Sequence, residues 1–135
     1  MMDFVVCEDN KIILQKNVDI INKTMFNNNI NYRVYQFVKK DNKLQELIND
    51  NEVIKVYILD IELENTSGID IAREIRKNDK NSIIIISTTY IEYLPFALKN
   101  KLMLFDFVSK FEDYENNLSN VITKAITQLK DQNLL

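Results

Sequence analysis

The sequence has no histidine and no tryptophan, and it has only one glycine, one proline and one cysteine among its 135 residues. Without histidine, neither a Ser-His-Asp nor a Cys-His catalytic system can form, and one thiol cannot supply the usual zinc ligand sets. A single glycine also excludes a glycine-rich phosphate-binding loop. One cysteine forms no intramolecular disulfide, which is typical of a protein from a reducing compartment.

Length and charge narrow the class of protein further. A chain of this length fits one domain, residues 1–135, that buries roughly two-thirds of its unfolded surface. The net charge of −3 argues against direct binding to DNA, so we expect DNA contact only through a further domain. Apolar runs such as Ile83–Ile86 are far shorter than the ~20 residues of a membrane span. We therefore expect a cytoplasmic protein without membrane contact.

Five short apolar runs of strand length alternate with five longer segments. Four of the runs have the pattern of buried strands, whereas Tyr32–Phe37 interleaves Arg33 and Gln36 with apolar residues and suits a sheet edge. The predicted strands are Phe4–Cys7, Tyr32–Phe37, Val56–Ile61, Ile83–Ile86 and Met103–Val108.

The intervening segments have the period of amphipathic helices. Ser67 stands where the N-cap of the third helix belongs, with Asp70 in its first turn. The predicted helical segments are Leu14–Met25, Leu44–Ile48, a stretch after Ser67 that includes Ile71 and Ile75, Tyr93–Lys99 near Pro95, and Leu118–Leu129.

Strands and helices that alternate five times predict an α/β fold with a parallel sheet and helices on both faces. Of the two common sheet orders, the flavodoxin-like order 2-1-3-4-5 places the second strand at an edge, where its mixed pattern fits. We therefore predict a (βα)5 three-layer sandwich with this order.

Polar side chains follow four strands that are consecutive neighbours in this order. Glu8 and Asp9 follow strand 1, Asp60 follows strand 3, Ser87 follows strand 4 and Lys110 follows strand 5. Ligands of open parallel sheets bind beyond the carboxyl ends of the strands. Three carboxylates in one crevice repel each other unless protons or a cation neutralise them. Because every available ligand atom is oxygen, the pattern favours Mg²⁺ with room for a phosphoryl group near the lysine.

Each of these residues also has an ordinary structural explanation. The acids at positions 8 and 9 suit a helix start, Asp60 could cap a strand, and a single lysine is usually a surface residue. Ser87 could begin a turn, and Phe107 in an apolar strand is a core residue by default. Only their joint placement at neighbouring strand ends favours a functional site.

This ordered set resembles the receiver domains of two-component response regulators. The resemblance runs through nearly the whole chain and includes Gly68, eight residues after Asp60, and Phe107, three residues before Lys110. The stretches from Leu59 to Leu63 and from Asp106 to Lys110 are especially similar to receivers of the accessory-gene-regulator type, whose outputs are LytTR DNA-binding domains.

The resemblance implies a role for each site residue. Asp60 would accept a phosphoryl group from a sensor histidine kinase. Asp9 would bind Mg²⁺ directly and Glu8 through water, with the backbone carbonyl of Glu62 as a further ligand. Lys110 would pair with phosphoryl oxygens.

It also implies a switch. Ser87 would hydrogen-bond the phosphoryl group and Phe107 would turn inward, remodelling the face made by helix 4, strand 5 and helix 5. A homodimer could form through that face. The output domain would lie outside these 135 residues, unless the receiver is free-standing.

The sequence departs from the family pattern at four positions. One of them is Phe107, which lacks a phenolic hydroxyl, so a switch there must depend on packing alone. Phe111 replaces the proline that usually follows the lysine in a cis peptide, which leaves the local turn open. Glu64 replaces another common proline and adds negative charge. Thr88 stands where a smaller residue is common and could narrow access for a phosphoryl group.

Three other functions compete with this interpretation. The departures would suit an interaction module that is not phosphorylated. A phosphatase of the haloacid dehalogenase type also uses an aspartate nucleophile and Mg²⁺, but its signature follows strand 1, whereas Asp60-Ile61-Glu62 follows strand 3. A flavodoxin-like FMN carrier fits least, because Glu8 and Asp9 would repel its phosphate.

Overall fold

A computed structural model describes residues 1–89 and 96–135. Its sheet has five parallel strands in the order β2-β1-β3-β4-β5, which confirms the predicted topology. The strands are β1 (Met2–Cys7), β2 (Tyr32–Phe37), β3 (Lys55–Asp60), β4 (Ile83–Thr88) and β5 (Asp106–Ser109).

A helix follows each strand, and within the described ranges 1–89 and 96–135 three helices begin at a side-chain cap. Asn10 accepts hydrogen bonds from the backbone of Ile12 and Ile13, Asp41 from Leu44, and Ser67 from Asp70 as predicted. The helices are α1 (Lys11–Met25), α2 (Asn42–Asn49), α3 (Gly68–Asn78), α4 (Phe96–Lys101) and α5 (Tyr114–Asp131). The first part of the predicted helix Tyr93–Lys99, including Pro95, lies outside the described residues.

Side chains that alternate along the strands build one hydrophobic core on each face of the sheet. The core with α1 and α5 contains Ile83, Ile85 and Val108, whereas the core with α2 and α3 contains Ile84 and Ile86. This three-layer arrangement buries β1, β3 and β4 completely. β2 is partly exposed at the sheet edge, as its mixed pattern predicted. No helix among the described residues is both long and apolar enough to cross a bilayer.

The predicted strand Met103–Val108 is wrong over its first half. The strand begins at Asp106, because Leu102 and Met103 complete the C-terminal turn after α4. The Leu104 amide donates to the Lys99 carbonyl and the Met103 amide to the Asn100 carbonyl, a Schellman pattern that places Met103 in the left-handed region at φ 52°. An apolar run alone does not distinguish such a turn from a strand.

The other strand boundaries differ by smaller amounts. β1 starts at Met2 rather than Phe4, β3 covers Lys55–Asp60 rather than Val56–Ile61, and β4 continues through Thr88. These differences leave Glu8 and Lys110 directly after their strands and place Asp60 at the last position of β3.

Replacing Met103 with glycine should stabilise the fold. Glycine adopts positive φ at little steric cost, and the Met103 side chain is 46% exposed, so little packing is lost. We expect the free energy of unfolding to rise by roughly 0.5–1 kcal/mol in urea denaturation.

Asn133→Gly is the matched control. Asn133 occupies the same left-handed position after α5 at φ 57°, and asparagine tolerates this conformation better than methionine. Its substitution should therefore change stability less, and a Met103→Gly protein less stable than wild type would contradict the argument.

Candidate functional site

The register of the sheet brings the carboxyl ends of three strands to one edge. Cys7 of β1 pairs with Leu59 of β3, and Asp60 pairs with Ser87 of β4. Glu8, the residue after β1, therefore lies beside Asp60. On the far side, the Lys110 amide donates to the Thr88 carbonyl at 2.9 Å, which continues the β4–β5 ladder up to the lysine.

The Lys110 ammonium group lies between two buried carboxylates. Its Nζ is 2.5 Å from Oε1 of Glu8 and 3.2 Å from Oδ2 of Asp60. The side chains of Lys110 and Asp60 are each 9% exposed and that of Glu8 is 1% exposed, so water screens these charges little. The structure thus brings together Glu8, Asp60 and Lys110 as the sequence predicted.

Burial makes the Glu8 carboxyl a weaker acid than an exposed glutamate. It raises the pKa of Glu8 to about 7, and the negative charge of Asp60 adds to this effect, while the Lys110 contacts and the Asn10 amide, which donates to Oε2 at 3.2 Å, oppose it. One lysine therefore does not fully compensate the cost of a charged carboxylate at this position.

The donor set fits a divalent cation. Carboxylate oxygens of Glu8, Asp9 and Asp60 all lie within 4.8 Å of one another, and Asp9 is exposed at the mouth of the cluster. Three acids with one lysine leave excess negative charge, and oxygen ligands of this kind suit Mg²⁺. Glu62 lies near this cluster, with its amide 3.4 Å from Oδ1 of Asp60. Its carbonyl as a metal ligand stays a prediction.

Ser87 is buried, and its hydroxyl makes a contact that the sequence did not predict. Its Oγ is 2.8 Å from the hydroxyl of Tyr114, which in turn donates to Oδ1 of Asn17 at 2.5 Å. All three side chains are buried. The Ser87 hydroxyl is thereby joined to the first residue of α5 and to the middle of α1.

The helical periodicity of the sequence indicates part of this arrangement. Tyr114 stands four residues before Leu118 and Asn17 three residues after Leu14, so both extend the apolar faces of their helices. A tyrosine on such an apolar face is usually a core residue, and the spacing does not predict that its hydroxyl contacts Ser87.

Phe107 lies on the other face of the sheet from this trio. It is half-buried against the core with α2 and α3, and Nζ of Lys99 lies 5.7 Å from its ring centroid. Its predicted movement as a switch is a property of a second state and stays a prediction.

The turn after Lys110 is formed without a cis peptide, since the described residues contain none. The Phe111 amide donates to Oγ of Ser109 at 3.2 Å, a hydrogen bond that proline could not make. The Phe111 side chain is 78% exposed beside the site. Thr88 is buried, and Glu64 is exposed.

Gly68 is required by the close approach of α3 to the end of β3. A Cβ atom at this position would lie 2.3 Å from the carbonyl oxygen of Asp60 and 3.3 Å from Cβ of Leu59. The Gly68 amide also donates to the Ile61 carbonyl at 3.0 Å. Any larger residue would push against the backbone that carries Asp60.

Gly68→Ala should therefore destabilise the protein, although alanine is the better helix former. We expect a loss of about 1–3 kcal/mol in urea denaturation, the range typical of overpacked sites. Lys77→Ala, an exposed position in the same helix, serves as the control and should change stability only slightly. A Gly68→Ala protein as stable as wild type would show that the backbone at Asp60 yields easily.

Comparison with known proteins gives consistent matches. The family model for the response regulator receiver domain matches residues 4–123. The accessory gene regulator protein A of Staphylococcus epidermidis is 29% identical over 96% of this chain, which spans 56% of that relative. A receiver domain structure from Clostridium thermocellum is 25% identical, with a TM-score of 0.77 over 96% of this chain and 98% of the other. A DNA-binding response regulator of the LuxR family from Staphylococcus aureus is 27% identical, with a TM-score of 0.67 over 93% and 98%.

Proposed function

The chain belongs to the response regulator receiver domain family of two-component signalling, and we propose that Asp60 is the residue that accepts a phosphoryl group from a sensor histidine kinase. One observation carries this proposal: the Asp60 carboxylate ends β3 within 3.2 Å of the Lys110 ammonium group, inside a cluster of three acids. A nucleophile, a counter-charge and a cation site occupy one pocket.

In the proposed reaction, a carboxylate oxygen of Asp60 forms a bond to the phosphorus of a phosphohistidine. The phosphorus–nitrogen bond breaks, and its electron pair stays on the imidazole nitrogen of the kinase. Lys110 already lies beside Oδ2 of Asp60 and would stabilise the charge of the transferred phosphoryl oxygens. The product is an acyl phosphate on Asp60.

Mg²⁺ is the proposed cofactor. Asp9, Asp60 and the Glu62 carbonyl would hold it directly, and Glu8 through water. When bound, it would supply positive charge that offsets repulsion between the acids and the incoming phosphate. The excess of acids over lysines supports a cation at this position.

Incubation with acetyl phosphate and Mg²⁺ should phosphorylate the protein at Asp60. Intact mass spectrometry should show the addition of one phosphoryl group, and Asp60→Asn should abolish it because an amide is a poor nucleophile. Asp131→Asn, at the distant end of α5, should behave as wild type. A mass gain that persists in Asp60→Asn, or none in wild type, would refute the assignment of Asp60.

We further propose that phosphorylation changes the face formed by α4, β5 and α5 through Ser87 and Phe107. Because Phe107 has no hydroxyl, its part in the switch would depend on packing. The S. epidermidis relatives are longer than this chain, and a LytTR-type DNA-binding output that controls transcription is the function we infer for the whole regulator.

Addition of beryllofluoride and Mg²⁺, which mimic the phosphoryl group, should promote pairing through this face. Sedimentation velocity should show a shift from monomer toward dimer, and the shift should be absent in Asp60→Asn. A wild-type protein whose sedimentation does not change would contradict pairing through this face while leaving phosphorylation at Asp60 intact.

A second candidate is an interaction module that is not phosphorylated. It is favoured by the 2.5 Å contact of Lys110 with Glu8, which is closer than its contact with Asp60 and compensates part of the negative charge without metal. A Mg²⁺ titration separates the two functions, since the interaction module predicts no saturable response.

A further inference from the structure

Tyr114 places a hydroxyl group next to Ser87 on the face of the sheet opposite to Phe107. Its oxygen is 2.8 Å from Oγ of Ser87, and it donates to Oδ1 of Asn17 at 2.5 Å. Ser87 is 1% exposed, Asn17 1% and Tyr114 6%, so water offers these groups no alternative partners.

The number of protons in this trio limits what it can do. Burial raises the pKa of Tyr114 to about 12, so the phenol keeps its single proton at neutral pH. That proton is donated to Asn17, and the proton between Ser87 and Tyr114 must therefore come from Ser87. In this state the only proton of the Ser87 hydroxyl is used by Tyr114.

A phosphoryl oxygen on Asp60 would need the same proton. Asp60 and Ser87 are register partners on β3 and β4, and a phosphoryl oxygen accepts hydrogen bonds but cannot donate one when it is ionised. If Ser87 turns its proton toward the phosphoryl group, the single proton of Tyr114 can serve either Asn17 or Ser87. The trio loses one buried hydrogen bond in either case.

We propose that Tyr114 is a positioning residue that competes with the phosphoryl group for the Ser87 hydroxyl and thereby opposes the phosphorylated state. This inference rests on the proposed phosphorylation of Asp60. The proposed switch would then include a tyrosine hydroxyl on α5. The aromatic residue on β5, Phe107, has no hydroxyl.

The position of Tyr114 in the chain links this competition to the charged pocket. Only three residues separate it from Lys110, which contacts Glu8 and Asp60. Asp113, the last of the three, has a left-handed backbone at φ 43°, a conformation in which a non-glycine residue has little freedom. The loop is thus held at Lys110 by ion pairs and at Tyr114 by hydrogen bonds, so a change at Ser87 acts on the start of α5.

The test is the affinity of the full chain for beryllofluoride with Mg²⁺, measured by fluorine NMR titration. Tyr114→Phe removes only the competing hydroxyl, and we expect beryllofluoride to bind roughly 2- to 10-fold more tightly, the ratio that corresponds to one net hydrogen bond. Tyr32→Phe is the matched control. Its hydroxyl also donates to an asparagine, Asn22 at 2.9 Å, but on the edge strand β2, so its affinity should equal that of wild type.

A double-mutant cycle separates competition from packing. In a Ser87→Ala background there is no serine proton to compete for, so Tyr114→Phe should leave the affinity unchanged. Unfolding of the same four proteins without Mg²⁺ should show coupling between positions 87 and 114, which detects their hydrogen bond independently of any phosphoryl mimic.

Each outcome decides one point. Unchanged or weaker binding by Tyr114→Phe, or a gain that persists with Ser87→Ala, overturns the competition while the proposed function stands. No binding of beryllofluoride by wild type removes the proposed function and the competition with it. Tighter binding that depends on Ser87 supports both.

Discussion

The ion pairs of Lys110 with Glu8 and Asp60 are the interaction on which the site depends. Two buried carboxylates side by side are unfavourable unless positive charge compensates them, and water contributes little here. A single ammonium group shared by two acids meets this need only in part, as the raised pKa of Glu8 shows. Further positive charge at this position would therefore stabilise the ionised form of the acids.

The pairing of the strands determines where the backbone places these charged residues. The pairing of Asp60 with Ser87 and the ladder bond from Lys110 to Thr88 set the relative positions of three strand ends. A slip of one residue in either pairing would turn the polar side chains toward the opposite core. Gly68 secures the same geometry from α3, because only a residue without Cβ fits against the carbonyl of Asp60.

The sheet order and the charged pocket could be predicted from sequence. The alternation of strands with helices predicts the sheet, and the polar residues at strand ends predict the pocket. Both patterns can be recognised within single segments of the chain. The predicted strand wrongly included Met103, because the left-handed turn that ends a helix can have the same apolar residues as a buried strand. Tyr114 and Asn17 were missed for a different reason. Their partner lies on another element, and the hydrogen bonds depend on how α1 and α5 pack together, which no local pattern encodes.

Different changes act on the charged pocket and on the hydrogen-bonded trio of Ser87, Tyr114 and Asn17. Cation binding and the proposed phosphorylation would alter the charge in the pocket, and charge acts on Lys110 over several ångströms. Ser87 responds only to a hydrogen-bond acceptor within direct reach, because a neutral hydroxyl interacts over a short range. A receiver that used Lys110 alone would respond to any anion in the pocket. Under the competition proposed above, Tyr114 would weaken the hydrogen bond of Ser87 to any acceptor, because Tyr114 already accepts the Ser87 proton.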